Sequence, residues 1–181
     1  MVLDAKTLRS LGAEEAEKIR KKRRRHPVYI ILEDVLDTYN IGGFFRLADA
    51  IAAEKVYLCG DCAIPPDHKI VKASVGTYQL VDWEYCKDAL TAIKKLKRKK
   101  VKIIAVEQSK EARDFREIEQ SLPVAFVFGN ESYGVKEKTL KKADATAEVP
   151  MHGFNKSLNV MVAAGIVLYH FIDSLPPRSV K

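Results

Sequence analysis

No glycine-rich phosphate loop occurs in this chain. G-x-G-x-x-G does not follow its first apolar run and no Walker A sequence is present, which removes the two usual ways of cradling a pyrophosphate or triphosphate on backbone N–H groups. The G-x-S-x-G elbow of serine hydrolases is also missing. The four histidines, His26, His68, His152 and His170, lack the close paired spacing of zinc hydrolases. Three cysteines are too few for a disulfide framework, and their odd number fits a reducing cytoplasm. Cys59-Gly60-Asp61-Cys62 has redox or metal spacing, but no second pair or nearby histidine completes a zinc site, so simple thiols and no metal are expected. Long apolar runs are absent too: residues 160–169 are about half of the roughly 20 residues a membrane span requires. The first residues carry no apolar h-region or small-residue cleavage site, so the expectation is a cytoplasmic protein without membrane association.

Hydrophobic residues make up 47% and charged residues 30%, as in soluble globular proteins, and 181 residues suit one domain with a short appendage. The net charge of +7 is unevenly spread. Residues 18–25 and 94–102 each hold seven Lys or Arg and no acid, and removing those fourteen leaves −7 for the rest. An acidic body with two basic patches suits a polyanion held at defined places; two solvated helix faces would give the same count.

Helical spacing of Leu8, Leu11, Ala16 and Ile19 predicts a helix over 4–25, ended by His26-Pro27. Residues 28–32 are continuously apolar, as in a strand buried on both faces of a parallel sheet. Asn40 is expected to cap a helix whose apolar stripe is Phe44, Leu47, Ala48, Ile51 and Ala52, with Arg46 off that stripe. Further strands are expected at 55–59, 79–83, 101–106, 124–128 and 146–149, and helices at 89–100, 136–143 and 157–172, with a turn at 72–76 and a charged connection at 112–118. Strands alternating with helices predict an α/β fold, a mostly parallel sheet with helices on both faces.

One stretch organises the chain: Val149-Pro150-Met151-His152-Gly153-Phe154-Asn155-Lys156-Ser157-Leu158-Asn159-Val160. It runs from a strand end through a turn to a helix start capped by Ser157 or Asn159, the place where α/β proteins put ligands. Its wording, Pro-Met-x-Gly followed by Ser-Leu-Asn-Val, resembles the third signature motif of the SpoU family of AdoMet-dependent RNA ribose 2′-O-methyltransferases, within the SPOUT superfamily. Two further family motifs stand in the expected order, as Asn40-Ile41-Gly42-Gly43-Phe44-Phe45-Arg46 and Gly129-Asn130-Glu131-Ser132-Tyr133-Gly134. The similarity covers roughly residues 26–172.

The resemblance implies a parallel α/β sheet whose C-terminal part forms a deep trefoil knot, a feature too rare to be reached from pattern alone. It implies a basic N-terminal helix at 1–25 and a knotted methyltransferase domain at 26–181. S-adenosyl-L-methionine (AdoMet) would be held by Val106, Gly129, Val149 and Leu158, largely through backbone and apolar contacts. It further implies a homodimer with the site across the interface. Residues 114–118 and the basic N-terminal segment resemble the branch acting on a guanosine ribose of tRNA, so tRNA is favoured over rRNA.

The reaction so implied is attack by a ribose 2′-oxygen on the sulfonium methyl, without a metal. Arg46 is the family's nominated proton acceptor, but a free arginine costs on the order of 7 kcal/mol to deprotonate at pH 7. Two roles stay open: a perturbed base, or a guanidinium that grips phosphate and hydroxyl. Asn40 would orient Arg46, Glu131 would stabilise the second-motif loop, and Ser157 and Asn159 would anchor phosphate or the third-motif loop. The rival expectation is a non-catalytic RNA-binding module that has kept the fold.

Overall fold

The computed structural model describes residues 3–175, so 1–2 and 176–181 of the expected division lie outside the described residues. In chain order the elements are α1 (Ala5–Ser10), α2 (Ala13–Lys22), β1 (His26–Glu33), α3 (Thr38–Ala50), β2 (Ala53–Cys59), α4 (His68–Ser74), β3 (Trp83–Cys86), α5 (Ala89–Lys97), β4 (Lys102–Val106), β5 (Arg113–Asp114), β6 (Val124–Phe128), α6 (Glu137–Leu140), β7 (Ala145–Glu148) and α7 (Val160–Asp173). The seven strands form one sheet in the order β3-β2-β1-β6-β4-β7-β5, and every pairing is parallel.

Alternation along the strands builds two cores. Val28, Ile30 and Leu32 of β1, with Phe126 and Phe128 of β6, pack under Phe44, Phe45 and Leu47 of α3, Ile70 of α4 and Val167, Leu168 and Phe171 of α7. Ile31, Tyr57, Ala105 and Val127 point the other way and meet Ala89, Ala92, Ile93 and Leu96 of α5. Both faces of the sheet are thus covered by helices, which is why residues 28–32 and 124–128 read as unbroken apolar runs.

Several local expectations change. The helix expected over 4–25 is two helices, broken at Leu11-Gly12. They are fastened rather than free: Leu11 and Ala16 pack on Leu80, and a Cβ on Gly76 would lie 2.2 Å from the Leu8 carbonyl oxygen. Arg25 donates to the Ala53 carbonyl at 2.9 Å and to that of Leu80, while Arg20 pairs with Asp82 at 2.9 Å. The unexpected helix α4 is capped by Asp67, which accepts from Lys69 N and Ile70 N, and the turn expected at 72–76 is its left-handed end at Val75 and Gly76. The strand expected at 79–83 begins only at Trp83, behind a 3-10 turn at Thr77–Gln79.

Asn40 does not cap α3. Asp37 does, accepting from Tyr39 N at 2.8 Å, so Asn40 is the third residue of the helix and is only 8% exposed. A buried amide must find partners, and those of Asn40 lie in the other two motifs.

Candidate active site

In a parallel sheet the strand ends of like polarity share one edge, and the loops leaving them enclose crevices. Here the carboxyl ends of β4, β6 and β7 and the start of α7 enclose a cavity of about 610 Å³, within the roughly 300–1,000 Å³ typical of small-molecule sites. Val106, Phe128, Val149, Met151, Leu158, Val160 and Ala163 give it apolar walls, and the backbone of 129–134 and 155–159 supplies polar groups.

The 129–134 loop folds back on itself. Asn130 N donates to the Gly134 carbonyl at 3.1 Å and Gly134 N to that of Asn130 at 2.9 Å. The Asn130 side chain donates to the Asp34 carbonyl at 2.8 Å and accepts from Ser132 N and Tyr133 N at 2.8 and 3.1 Å. Gly134 has φ +67, and a Cβ there would sit 2.0 Å from Glu107 Oε2; glycine alone satisfies both the backbone angle and the contact. Glu107 holds the loop from the β4 side, accepting from Val135 N at 2.7 Å and from Gln108 N at 2.8 Å.

Side-chain hydrogen bonds join the three sequence motifs. Glu131 accepts from Leu36 N and Asp37 N at 3.1 Å each and from Asn40 Nδ2 at 3.0 Å. Asn40 Oδ1 in turn accepts from Asn159 Nδ2 at 3.3 Å, while Asn159 Oδ1 caps α7 by accepting from Met161 N at 2.8 Å. Between Ser157 and Asn159, the two cap candidates, the helix uses Asn159. Burial alone would raise the pKa of Glu131, but the hydrogen bonds from Asn40, Leu36 and Asp37 together hold it below the ordinary 4.5. A depressed carboxyl pKa contributes stability that is complete above the unfolded value and lost as pH falls through the folded one. The Leu36 and Asp37 amide resonances are therefore expected to titrate with a midpoint below 4.5. A midpoint above 4.5 would contradict this.

Val106, Gly129, Val149 and Leu158 all line the cavity, as do Glu131, Ser157 and Asn159. Asn40 stands one hydrogen bond behind them. Arg46 does not join this group: it is exposed, absent from the cavity lining and, among the described residues, its side chain makes no hydrogen bond or ion pair. Asn40, six positions earlier, bonds through its side chain to Glu131 and Asn159 and makes no bond to Arg46.

Glu107 and Glu148 were not anticipated. With Glu131 they give the cavity three carboxylates against one lysine, Lys156, an environment favouring a cationic ligand over a phosphate. The sequence signal for Glu107 was a carboxylate directly after a buried strand. Cys59 and Cys62 are buried on opposite faces of the sheet. Burial raises the Cys59 thiol pKa and pushes that of Cys62 up to about 11, so neither is a ready thiolate. Among the described residues no group of three or more His, Cys, Asp or Glu is placed to hold a metal ion.

Known proteins resemble this chain in sequence and in fold. The tRNA (guanosine(18)-2′-O)-methyltransferase of Thermus thermophilus is 32% identical over 148 residues, 81% of this chain and 75% of that protein. The AdoMet-bound rRNA methyltransferase of Sinorhizobium meliloti superposes with a TM-score of 0.78 at 27% identity, covering 88% of this chain and 61% of that one. The TrmH/SpoU tRNA modifying enzyme of A. aeolicus gives 0.76 at 27% identity, over 88% and 82%. This chain therefore spans three-quarters of the Thermus protein and about three-fifths of the Sinorhizobium one. The model of the SpoU rRNA methylase family matches residues 27–169, the segment that holds all three joined motifs, and the chain belongs to that family.

Proposed function

We propose that this chain transfers a methyl group from S-adenosyl-L-methionine to a ribose 2′-hydroxyl of RNA, with tRNA favoured over rRNA. The observation that carries the reading is the hydrogen-bonded junction of Asn40, Glu131 and Asn159 beside a cavity whose walls are apolar and whose charged groups are mainly carboxylates. Those features fit a nucleoside that carries a sulfonium and an ammonium and no phosphate. When bound, AdoMet supplies an electrophilic methyl carbon.

The residues of the chain do the rest. Val106, Gly129, Val149 and Leu158 hold the nucleoside by backbone and apolar contact, and Glu148, lining the cavity without an ion-pair partner among the described residues, faces its cationic part. Glu131 and Asn40 keep the 129–134 loop against α3, and Asn159 fixes the start of α7. Ser157 meets the RNA phosphate. Arg46 grips phosphate and hydroxyl or takes the proton. Fixing the reactants in this way can remove several kcal/mol of barrier.

Arg46 reaches a cavity if the protein is a homodimer with its site shared between subunits. On α7, Val162, Ile166 and Tyr169 recur at one-turn spacing and remain 50%, 38% and 46% exposed. Such an apolar stripe left in water supports burial against a second copy. The same reading takes residues 1–25 as an appendage to a domain at 26–181, assigns the family's deep trefoil knot to the C-terminal part, and places the protein in the cytoplasm. Among the described residues no helix is long and apolar enough to cross a membrane.

The test is calorimetry with AdoMet in the presence of EDTA. Binding is expected at unchanged affinity, since no donor in the proposed contact set needs a metal. Loss of binding on chelation would overturn the contact set.

A further inference from the structure

The two basic runs do not border the cavity. Residues 18–25 lead into β1 and residues 94–102 into β4, so both lie at the amino-terminal edge of the sheet, whereas the cavity occupies the carboxyl edge. At least half of their fourteen charges are engaged within the protein by ion pairs or carbonyls: Arg20, Lys21, Arg23, Lys95, Lys97 and Lys102 pair with Asp82, Glu17, Asp49, Glu84, Asp144 and Glu119, and Arg25 binds two carbonyls. Lys18, Lys22 and Lys94 are exposed singly, whereas Arg98, Lys99 and Lys100 stand in succession. All three are exposed, and among the described residues their side chains make no ion pair or hydrogen bond.

Their backbone is firmly held. Lys100 N donates to the Lys97 carbonyl at 3.0 Å and Val101 N to that of Leu96 at 3.2 Å, the two bonds of a Schellman helix end. Lys100 occupies the left-handed position of that motif at φ +58, where glycine is the favoured residue and a side chain is strained. The turn thus keeps a cation where backbone energetics ask for none, beside two others on a rigid frame. Lys142, exposed just ahead of the neighbouring strand β7, extends the same charge, and the acids at this edge, Asp144 and Glu119, are already taken by Lys97 and Lys102.

We infer that the Arg98-Lys99-Lys100 turn is a second contact for the RNA backbone. It is separated from the cavity by the length of β4: six residue steps from Lys100 to Val106, at roughly 3.3 Å each, make about 20 Å. The inference rests on RNA being the substrate. It follows that the substrate must be large enough to touch both edges of the sheet, a requirement a folded RNA meets and a short oligonucleotide confined to the cavity mouth does not.

The experiment replaces the turn's charges in the full chain, as Arg98→Gln with Lys99→Gln and Lys100→Asn, asparagine being tolerant of the left-handed backbone. KM and kcat for a tRNA transcript are measured across a salt series, with AdoMet affinity alongside. KM is expected to rise about tenfold near 0.1 M salt and the log–log salt slope of affinity to shrink by about 2, at roughly 0.7–0.9 per lost phosphate contact. The variant's kcat and AdoMet affinity should stay within twofold of wild type. Unchanged KM and slope would overturn the second contact. If the wild-type protein itself methylates no RNA, the functional reading fails instead, and equilibrium binding of the same transcript still decides the contact. A second variant, Lys100→Gly, separates charge from folding: it should melt about 2 °C higher, by relieving the strained position, yet bind tRNA more weakly. Higher stability with full affinity would contradict a role for Lys100.

Discussion

Arg46→Ala is expected to cut methyl transfer at least about a hundredfold, the lower end for loss of a proton-transfer or positioning group, with folding and AdoMet affinity little changed. The physical basis is its position. Arg46 lies on α3, exposed and without an internal partner among the described residues, so its removal breaks no packing and empties no hydrogen bond. Arg46→Lys divides the two roles. A lysine keeps a cation and releases its proton more readily, but loses the planar fork. If Arg46 acts chiefly as a base, the lysine variant retains activity that rises with pH; if it acts as a bidentate clamp, activity falls nearly as far as with alanine. Near-wild-type activity of Arg46→Ala on an RNA shown to be a substrate would remove both roles.

Gly129→Ala should abolish cofactor binding rather than catalysis alone. A Cβ at this position would lie 2.2 Å from the Gly134 carbonyl carbon and 2.3 Å from Val135 N. Both are backbone atoms, so no side chain can swing aside and the loop must shift by about 1 Å, enough to cost on the order of a hundredfold where reactants must be aligned. AdoMet affinity measured by calorimetry is expected to drop by at least that factor, with circular dichroism of the same variant reporting whether the fold is kept. Retained affinity would show that the loop backbone does not form the site. The two variants also test the shared site. In the proposed homodimer, mixing Arg46→Ala and Gly129→Ala chains gives heterodimers in which one site combines an intact arginine with an intact cavity, so activity should return on mixing; no recovery would contradict a site built from two subunits.

What the sequence revealed was whatever local pattern encodes. Residues 28–32 and 124–128 announced buried parallel strands because both of their faces are covered. The motifs after β1, β6 and β7 announced a site by their resemblance to the signature motifs of a known family. The function of Asn40 was not legible: a helix cap and a buried bridge use the same residue type, and its partners lie 91 and 119 positions away. Nor was the fastening of the N-terminal segment, since Arg25 and Leu80 meet only through the fold. The helix α4 was missed because its seven residues follow two prolines and include β-branched Ile70 and Val71. Charge counting found the basic runs but not their edge of the sheet, which depends on strand direction.

The methyl group is expected on a ribose 2′-oxygen. The direct measurement is incubation of the protein with methyl-labelled AdoMet and a tRNA transcript, followed by complete alkaline hydrolysis of the RNA. Alkali cleaves RNA through a free 2′-hydroxyl, so a 2′-O-methylated position survives as an alkali-resistant dinucleotide. The label is expected in that dinucleotide, and absent when Arg46→Ala replaces the wild-type protein. Label released in mononucleotides would place the methyl group on a base, and would contradict ribose methylation.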